Sequence, residues 1–528
     1  MLFRSPYPEI AIPETPITSF VLRHAARLAG KPALIDGPTG RTVTFGQFAE
    51  SVHRAAAGLA ACGYRKGDVF TILAPNSIEF AVAFHAIATI GGIAAPINPS
   101  LTVDEITHLL RDTGPCCLFT VPELLDKARE AAIGTGIREV IVFGEAPGTT
   151  PFAALLNCDG PVPRVAIDPR EDVAAILCSS GTTGLPKGVQ LTHDNLIASV
   201  CQFAATCPTD ERDTLPGHLA FFHAFGLFVT VNLGFAQGAR SVVMPRFDLA
   251  QFLQIAQDYR VTRAYFTPPT VLLLAKHPIV DDFDLSALRW IICAAAPLGE
   301  DLARACAERL GCVVKQGYGM TEIAPSHLAP DDLDPRKVGT VGPCVPNVEC
   351  KIVDIVTGAE LGPHQQGEVW VRGPNQTKGY LNRPDATAAL IDAEGWVHTG
   401  DIGSCDADGY LTVVDRLKEL IKYKAYQVAP AELEAVLLAH PAVADAAVVP
   451  SPDEDAGEVP KAFVVLEREA TSEELMAFVA TRVAPYKKVR RVEFVEQIPK
   501  SPSGKILRRI LVERERAALL SLVEGGRA

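Results

Sequence analysis

The sequence predicts an α/β protein with a large N-terminal domain built on parallel sheets and a small α+β C-terminal domain. Helix-like and strand-like segments alternate over roughly the first 400 residues, which is typical of parallel sheets covered by helices. Short strands with Gly-rich turns follow between Val348 and Val414, and the pattern starts afresh after Asp415. The predicted domains are therefore residues 1–415, with a mainly β subdomain at about 348–415, and residues 416–528.

The first elements of the large domain follow from hydrophobic periodicity. Thr44–Cys62 carries apolar residues at helical spacing and predicts an amphipathic helix. Asp68–Leu73 predicts a short strand that stops before Pro75, and Ser77–Gly91 predicts a second helix. Further strands are expected at Ile93–Ile97, Ala239–Met244, Arg263–Phe266 and Leu288–Cys293.

The small domain shows a different arrangement of elements. Helices are expected at Pro430–Leu438 and Ser472–Val483, and strands at Val443–Val449 and Ala462–Leu466. Its last part is basic, with nine Lys and Arg against two Glu from Arg482 to Arg509. In an acidic protein this contrast suggests a surface that faces phosphates, although a solvated charged face gives the same pattern.

Composition indicates a globular protein and disfavours several classes. Of the 528 residues, 48% are hydrophobic and 21% are charged, the balance of a protein with a sizeable core. The formal net charge is −13, whereas a general nucleic-acid binder normally carries a basic surplus. No apolar run approaches the roughly 18 residues of a transmembrane helix, and the N-terminus lacks the apolar stretch of a signal peptide. The 13 cysteines contain no C-x-x-C pair, so we expect a cytoplasmic protein without disulfides or zinc.

A loop rich in hydroxyls and glycines, Ser179–Gly188, is the sharpest local feature. Glycines let backbone N–H groups approach an anion closely, hydroxyls donate further bonds, and a lysine adds a positive charge. The preceding segment DVAAILC predicts a buried strand, so the loop is expected at a strand end, where phosphate loops occur. It lacks the G-x-x-x-x-G-K-[ST] pattern of a P-loop, and such a turn is otherwise an ordinary flexible loop.

Further motifs remove this ambiguity. They are FHAFG at Phe222–Gly226, AAAPLG at Ala294–Gly299, QGYGMTE at Gln316–Glu322, WVHTGD at Trp396–Asp401, VDRLKELIKYK at Val414–Lys424 and PKSPSGK at Pro499–Lys505. In this order they resemble the motifs of the acyl-adenylate-forming family, which includes acyl-CoA synthetases, 4-coumarate–CoA ligases, beetle luciferases and peptide-synthetase adenylation domains. The resemblance extends from about residue 20 to 510 and is closest to 4-coumarate–CoA ligases in residues 414–437. It implies a C-terminal domain that swings about a hinge near Asp415–Lys418.

The resemblance implies a nucleotide site that binds ATP and Mg²⁺. In that site Lys505 would contact the carboxylate oxygen and the α-phosphate, Thr321 would bond the α-phosphate, and Glu322 would hold the Mg²⁺ ion. Asp401 and Arg416 would bind the ribose hydroxyls. The full implied set is Ser179, Ser180, Gly181, Thr182, Thr183, Lys187, Ala295, Gln316, Gly317, Tyr318, Thr321, Glu322, Asp401, Arg416, Lys418, Lys422, Gln427 and Lys505.

The resemblance also implies an acyl pocket and a route for CoA. His223 would form the gate between them, whereas without the resemblance a packed core histidine would be the favoured interpretation. The implied acyl-pocket residues are His223, Phe225, Ala294, Ala295, Gly317, Gly319 and Pro325; those for CoA are Arg260, Lys424 and Ala425. The implied catalytic residues are Lys505, His223, Thr321, Glu322 and Lys422. After rotation of the small domain, Lys505 would leave the site while Lys422, Lys424 and Gln427 approach.

The chain departs from the family pattern at several positions. Ala425 replaces a glycine beside the CoA path, and Ala294 replaces a glycine of the acyl pocket. Phe225 stands where plant 4-coumarate ligases usually carry tyrosine, and Ser326 and His327 replace apolar residues. Ala425 suggests a slower CoA step, Ala294 a shorter acyl pocket, and Phe225 a pocket without a hydroxyl for the substrate's para-oxygen. Ser326 or His327 could instead reach that oxygen.

The sequence therefore predicts a carboxylate–CoA ligase that forms AMP and pyrophosphate, acting on a planar aryl-propenoic acid such as cinnamate or 4-coumarate. The alternatives are a medium- or long-chain fatty acyl-CoA ligase, a luciferase-like monooxygenase, and an adenylation module that loads a carrier protein. A non-enzymatic binding protein is disfavoured because every catalytic position is present. The expected partners are a small carboxylic acid, ATP and CoA, with no nucleic acid and no membrane span.

Overall fold

The computed structural model describes residues 1–179, 187–424, 426–453, 455–501 and 504–525. The protein is a mixed α/β structure in which parallel sheets with helices are followed by a β-rich sheet and a small α+β unit. The fold class predicted from the sequence is therefore confirmed. Within the described part of the chain, no helix is both long enough and apolar enough to cross a membrane.

The strands are β1 (Leu2–Arg4), β2 (Pro32–Asp36), β3 (Thr42–Thr44), β4 (Val69–Leu73), β5 (Ile93–Pro96), β6 (Cys117–Thr120), β7 (Glu139–Val142), β8 (Thr150–Pro151), β9 (Val173–Ser179), β10 (Lys187–Thr192), β11 (Thr214–Gly217), β12 (Arg240–Val243), β13 (Arg263–Phe266), β14 (Trp290–Cys293), β15 (Val313–Met320), β16 (Ile323–Leu328), β17 (Glu349–Val353), β18 (Gly367–Arg372), β19 (Gly379–Tyr380), β20 (Val397–Cys405), β21 (Leu411–Arg416), β22 (Ile421–Tyr423), β23 (Tyr426–Val428), β24 (Val443–Asp453), β25 (Gly457–Leu466) and β26 (Arg491–Phe494).

The helices are α1 (Ile17–Val21), α2 (Phe45–Ala61), α3 (Ile78–Thr89), α4 (Val103–Thr113), α5 (Leu125–Ala132), α6 (Phe152–Leu156), α7 (His193–Thr206), α8 (Ala224–Gly226), α9 (Leu249–Asp258), α10 (Pro268–Lys276), α11 (Glu300–Leu310), α12 (Pro384–Leu390), α13 (Pro430–Leu438), α14 (Ser472–Ala480) and α15 (Arg508–Gly525). A π-helical segment, Leu227–Gly234, continues α8.

Local sequence explains the predicted helices. Thr44 and Gln47 form a reciprocal capping box at the start of α2, in which the Thr44 side chain accepts from the Gln47 N–H at 3.2 Å. Ser77 caps α3 in the same way, by accepting from the N–H of Phe80 at 3.1 Å. The apolar stripe of α2 is buried against α3 and α6.

Three sheets of the large domain contain parallel strands. The largest has the order β19-β10-β9-β5-β4-β6-β7-β8 and is parallel from β9 to β8. A second has the order β11-β12-β2-β3, and a third the order β13-β14-β15-β16. In each case an antiparallel strand completes the edge. A continuous hydrophobic core joins the first sheet to its covering helices.

The β-rich sheet has the order β1-β17-β18-β20-β21 and is antiparallel. Its last strand ends at Arg416, beside the predicted domain boundary at Asp415. The N-terminal strand β1 pairs with β17 across more than 340 residues of chain. That pairing was not predicted, because nothing in the first residues indicates their distant partner.

The small unit after Arg416 has a sheet ordered β23-β22-β25-β24, with β26 added in parallel to β25, and its own apolar core. The strand predicted at Val443–Val449 extends to Asp453, because Ser451 and its neighbours continue the pairing with β25. The helix predicted to reach Val483 ends at Ala480. Helix α15 was missed in the sequence.

A half-buried guanidinium connects several elements of the small unit. Arg508, at the start of α15, contacts Glu419 at 2.5 Å and Glu434 of α13 at 2.7 Å. The other oxygen of Glu434 accepts the backbone N–H of Val448 at 2.8 Å. Charge-assisted bonds of this kind are strong and directional, so the segment after Lys418, α13 and α15 are held as one body.

Candidate active site

An aspartate, a tyrosine and an arginine meet where β15 approaches β20 and β21. The Tyr318 hydroxyl donates to Asp401 Oδ2 at 2.6 Å, and Arg416 Nε lies 3.2 Å from Asp401 Oδ1. Asp401 and Arg416 are register partners on neighbouring antiparallel strands, which brings their side chains together. Asp401 is only 5% exposed, and burial raises its pKa, while the charges of Arg416 and Lys505 oppose that rise.

A glycine in the left-handed conformation directly precedes Asp401. The structure places Asp401 within strand β20, directly after Gly400, whose φ is +67°. The left-handed glycine interrupts the regular alternation of the strand, and for this reason the segment VHTGD does not look like a strand in the sequence.

Lys505 enters this cluster from the small domain. The loop that carries it is closed by bonds from Ser501 N to Lys505 O at 2.8 Å and from Lys505 N to Ser501 Oγ at 3.2 Å. Burial and the charge of Arg416 lower the pKa of Lys505, whereas Asp401, Glu322 and Glu419 act in the opposite direction. One ammonium group is therefore near both predicted nucleotide carboxylates, Asp401 and Glu322.

Gly504 lets the lysine loop dock onto the large domain. Its φ is +77°, and a Cβ atom at this position would lie 2.8 Å from Thr267 Oγ1 and 3.3 Å from Pro269 Cγ. Both residues belong to the start of α10. A side chain at 504 would therefore add backbone strain and force the loop or Thr267 to shift, so glycine favours the docked position.

Replacing Gly504 with alanine should slow acyl-adenylate formation by roughly ten- to a hundred-fold, because strain and the close contact together disfavour the docked loop. Pyrophosphate exchange measures this step. Gly409→Ala is the matched control: Gly409 also has positive φ (+80°), but a Cβ there meets nothing within 4 Å. Equal exchange rates in Gly504→Ala and the parent enzyme would contradict the docking.

His223 lies beside the lysine loop and is neutral at pH 7. Burial and the nearby charge of Lys505 lower the pKa of His223 to about 4. Its Nδ1 accepts the N–H of Phe225 at 3.2 Å, so we assign the proton to Nε2. Asn76 holds the preceding loop by donating to Leu219 O at 2.8 Å and accepting from Phe221 N at 2.8 Å.

Gln316 fixes the turn that follows β14. Its amide accepts from Leu298 N at 3.2 Å and donates to Leu298 O at 3.2 Å and to Val338 O at 3.1 Å. Within that turn Ala295 has a φ of +75°, an unusual value for a residue with a Cβ. Strained positions of this kind cluster at binding sites, which agrees with the role predicted for this turn.

Glu322 follows β15 and is almost fully buried, at 3% exposure. Its Oε1 accepts the hydroxyl of Tyr380 at 2.7 Å. Tyr380 was not singled out in the sequence, because its contact depends on the pairing of β19 with β10. Among the described residues no cluster of three or more metal-ligating side chains occurs. A single carboxylate fits Mg²⁺, which is usually bound by one or two carboxylates together with substrate phosphates and water.

The acyl-side residues lie next to this cluster in sequence and space. A Cβ at Gly319 would lie 2.9 Å from Ile323 O, so the β15–β16 turn is tight. Pro325 O accepts from Asn375 at 2.7 Å. Phe225 packs edge-on against Tyr265, with ring centroids 6.2 Å apart. Ala294, in the turn after β14, is half-buried.

The polar groups of Ser326 and His327 already have partners. The Ser326 hydroxyl donates to Tyr318 O at 3.3 Å, and His327 contacts Ser326 Oγ at 3.1 Å and Cys344 Sγ at 3.3 Å. Both side chains are fully buried. They are therefore poor partners for a polar group on a substrate.

Five predicted residues lie on the exposed surface, apart from the cluster around Asp401. Lys418, Lys422 and Gln427 were predicted for the nucleotide site, and Lys424 and Arg260 for CoA. Lys422, Lys424 and Gln427 are exposed on the hairpin β22–β23, and Lys418 is also exposed. Arg260 is exposed on the large domain, with Nη1 3.7 Å from Asp284 Oδ2. This separation agrees with two half-reactions that use different arrangements of the small domain.

Part of the prediction lies outside the described residues. Ser180, Gly181, Thr182 and Thr183 of the hydroxyl-rich loop fall there, as does Ala425. The described ends of that loop, Ser179 and Lys187, are register partners on β9 and β10.

Comparison with known proteins agrees with this geometry. The family model described as AMP-binding enzyme matches residues 21–381, and the model described as AMP-binding enzyme C-terminal domain matches residues 432–505. A 4-coumarate–CoA ligase 5 from Oryza sativa subsp. japonica is 43% identical over 523 residues, covering 97% of this chain and 96% of the relative. A 4-coumarate–CoA ligase from Pinus taeda is 43% identical over 530 residues, covering 97% of each chain.

Solved structures show the same fold. ATP-bound MatB from Rhodopseudomonas palustris has a TM-score of 0.86 at 28% identity, covering 95% of this chain and 99% of that one. The anthranilate CoA ligase AuaEII in complex with anthranoyl-AMP has a TM-score of 0.88 at 26% identity, covering 97% of this chain and 99% of that one.

Proposed function

The chain belongs to the AMP-binding enzyme family, and from this premise we propose that it is an ATP-dependent acid–CoA ligase. A carboxylate would displace pyrophosphate from ATP to give an acyl-adenylate, and the thiol of CoA would then displace AMP to give a thioester. The observation that carries the proposal is that Lys505, from the small domain, lies within electrostatic range of Asp401, Arg416 and Glu322 of the large domain, with Tyr318 bonded to Asp401.

In the first step the chain's own residues position charge around the reacting phosphate. Lys505 would stabilise the negative charge shared by the incoming carboxylate and the α-phosphate, and Thr321 would donate a further bond. Asp401 would accept from the ribose hydroxyls, with its orientation held by Tyr318 and Arg416. Glu322 would hold the Mg²⁺ ion, which neutralises phosphate charge when it is bound.

In the second step the small domain would present another surface. Lys505 must leave to make room for CoA, and the exposed hairpin β22–β23, with Lys422, Lys424 and Gln427, is a suitable replacement. Neutral His223, beside the lysine loop, would then line the entrance for the thiol. Arg260 is suited to a CoA phosphate.

We propose planar aryl-propenoic acids as substrates, in line with relatives named 4-coumarate–CoA ligase. Phe225 offers no hydroxyl to a para-oxygen, and Ser326 and His327 are engaged elsewhere. The apolar element around Phe225 also suits a fatty acid, which is the second candidate.

We also propose a cytoplasmic location. All 13 cysteines are unpaired, which supports a reducing compartment.

Cinnamate should be at least as good a substrate as 4-coumarate, and caffeate or ferulate should be poorer by roughly ten- to a hundred-fold in kcat/KM. The reasons are the cost of a buried polar group without a partner and the space occupied by the Ala294 methyl group. Measuring AMP and pyrophosphate release for the four acids and octanoate, with and without CoA, provides the test.

Ala294→Gly should recover part of the activity on the bulkier acids, whereas the neighbouring Ala296→Gly serves as the matched control. A clear preference for caffeate, or for octanoate over all four, would refute this account of the pocket. Release of AMP only when a carrier protein is supplied would refute the CoA ligase itself.

A further inference from the structure

We propose that Tyr380 is a positioning residue that orients Glu322 and Lys187 on two sides of the phosphate site. This inference rests on the proposed function, because it assigns those two groups to the metal and the phosphates of ATP. Neither the hydroxyl nor the ring of Tyr380 needs to contact the reacting atoms.

The hydroxyl of Tyr380 fixes one oxygen of the Glu322 carboxylate. The bond from Tyr380 Oη to Glu322 Oε1 is 2.7 Å long, and Glu322 is almost fully buried. Because Glu322 Oε1 accepts this hydrogen bond, Glu322 Oε2 is the oxygen that can bind a cation.

The ring of Tyr380 supports the second group. Lys187 Nζ lies 4.8 Å from the ring centroid, within range of a cation–π interaction. In the antiparallel pairing of β19 with β10, Tyr380 lies opposite Val189, so Lys187 is its diagonal neighbour on the same face. Lys187 lies at the C-terminal end of the hydroxyl-rich loop Ser179–Gly188.

Hydrogen bonds that do not involve the Tyr380 side chain hold the segment around Tyr380 in place. Thr377 N donates to Glu322 O at 2.7 Å, Thr377 Oγ1 donates to Gln190 O at 2.6 Å, and Leu381 N donates to Gly188 O at 2.8 Å. The segment therefore joins β10 to the Glu322 turn through the main chain. Loss of the Tyr380 hydroxyl should leave the fold intact, and its effect should be confined to the orientation of Glu322.

Two substitutions separate the roles of hydroxyl and ring. Tyr380→Phe keeps the ring beneath Lys187 and removes the bond to Glu322, whereas Tyr380→Leu removes both. Tyr410→Phe is the matched control, because the ring of Tyr410 lies beneath another lysine, Lys337, at 4.9 Å, outside the site. Thermal unfolding of all three variants checks that the fold is retained.

The decisive measurement is the affinity of Mn²⁺ for the full-length protein with saturating ATP, followed by electron paramagnetic resonance in the absence of acid and CoA. Tyr380→Phe should weaken Mn²⁺ binding roughly tenfold, the loss expected for one hydrogen bond to a charged group, and Tyr410→Phe should not change it. Unchanged Mn²⁺ affinity in Tyr380→Phe would overturn the proposal.

The two half-reactions supply an independent readout. Tyr380→Phe should raise the Mg²⁺ concentration needed for acyl-adenylate formation, while thioester formation from supplied acyl-adenylate, which involves no pyrophosphate departure, should stay at the parent rate. An equal fall in both steps would indicate a merely structural role and overturn the proposal. Because the Mn²⁺ measurement needs no carboxylic acid substrate, it tests the positioning role of Tyr380 even if the protein is not an acid–CoA ligase.

Discussion

Replacing Lys505 with alanine should lower the rate of acyl-adenylate formation by two to three orders of magnitude and leave thioester formation from supplied acyl-adenylate largely intact. Removal of one preorganised group that stabilises transition-state charge typically costs about a hundred- to a thousand-fold. Lys505 is the ammonium group that the small domain brings near Asp401 and Glu322. Pyrophosphate exchange measures the first step, and release of AMP from the supplied intermediate measures the second.

Lys500→Ala is the control for this experiment. Lys500 belongs to the same loop, but its Nζ pairs with Asp445 of the small domain at 2.6 Å. It should therefore leave both rates close to those of the parent. If Lys505→Ala lowered both steps equally while the protein stayed folded, the hypothesis that the two half-reactions use different surfaces of the small domain would be wrong.

The second large effect is expected at Asp401. Asp401→Asn removes the charge that pairs with Arg416 and one of the acceptors for the ribose hydroxyls, so ATP binding should weaken by roughly ten- to a hundred-fold. The expected loss of ATP affinity is smaller than that for breaking a fully buried ion pair, because the Arg416 side chain is 35% exposed and solvent weakens its pairing with Asp401. Equilibrium binding of ATP, measured calorimetrically, is the test.

Asp406→Asn controls for damage to the hairpin that carries Asp401. Asp406 lies in the β20–β21 turn, where it accepts from Asp408 N at 2.9 Å and pairs with Lys337 at 2.5 Å. It should lower the melting temperature slightly without changing ATP affinity. Unchanged ATP affinity in Asp401→Asn would show that the ribose binds elsewhere.

Local patterns predicted the parts of the fold that depend on neighbours in sequence. The helix at Thr44–Cys62 appears as α2 with Thr44 as its cap, and the strand at Asp68–Leu73 appears as β4. Both depend on periodicity and capping within one segment. The lysine motif at 499–505 could also be recognised, because it consists of seven consecutive residues.

Features that depend on the pairing of strands far apart in the chain could not be predicted from the sequence. The contact of Tyr380 with Glu322 requires β19 to add to β10, and the pairing of β1 with β17 joins the two ends of the large domain. A strand pattern states which face is buried but not which strand lies beside it. Helix α15 was missed because its sequence shows little helical periodicity: charged and apolar residues are mixed around the helix.

The anchoring of the residues around Lys418 restricts how the small domain can turn. Leu417 N is bound to Gly400 O of the large domain at 2.9 Å, and Glu419 is bound to Arg508 of the small domain at 2.5 Å. A rotation that preserves both anchors must use the torsion angles of Leu417, Lys418 and Glu419 that lie between them. A large rotation about Lys418 would also break the backbone bonds from Glu419 N and Leu420 N to Arg416 O, at 2.9 and 3.2 Å. These two bonds therefore stabilise the present arrangement, and the proposed change between half-reactions would have to compensate for their loss.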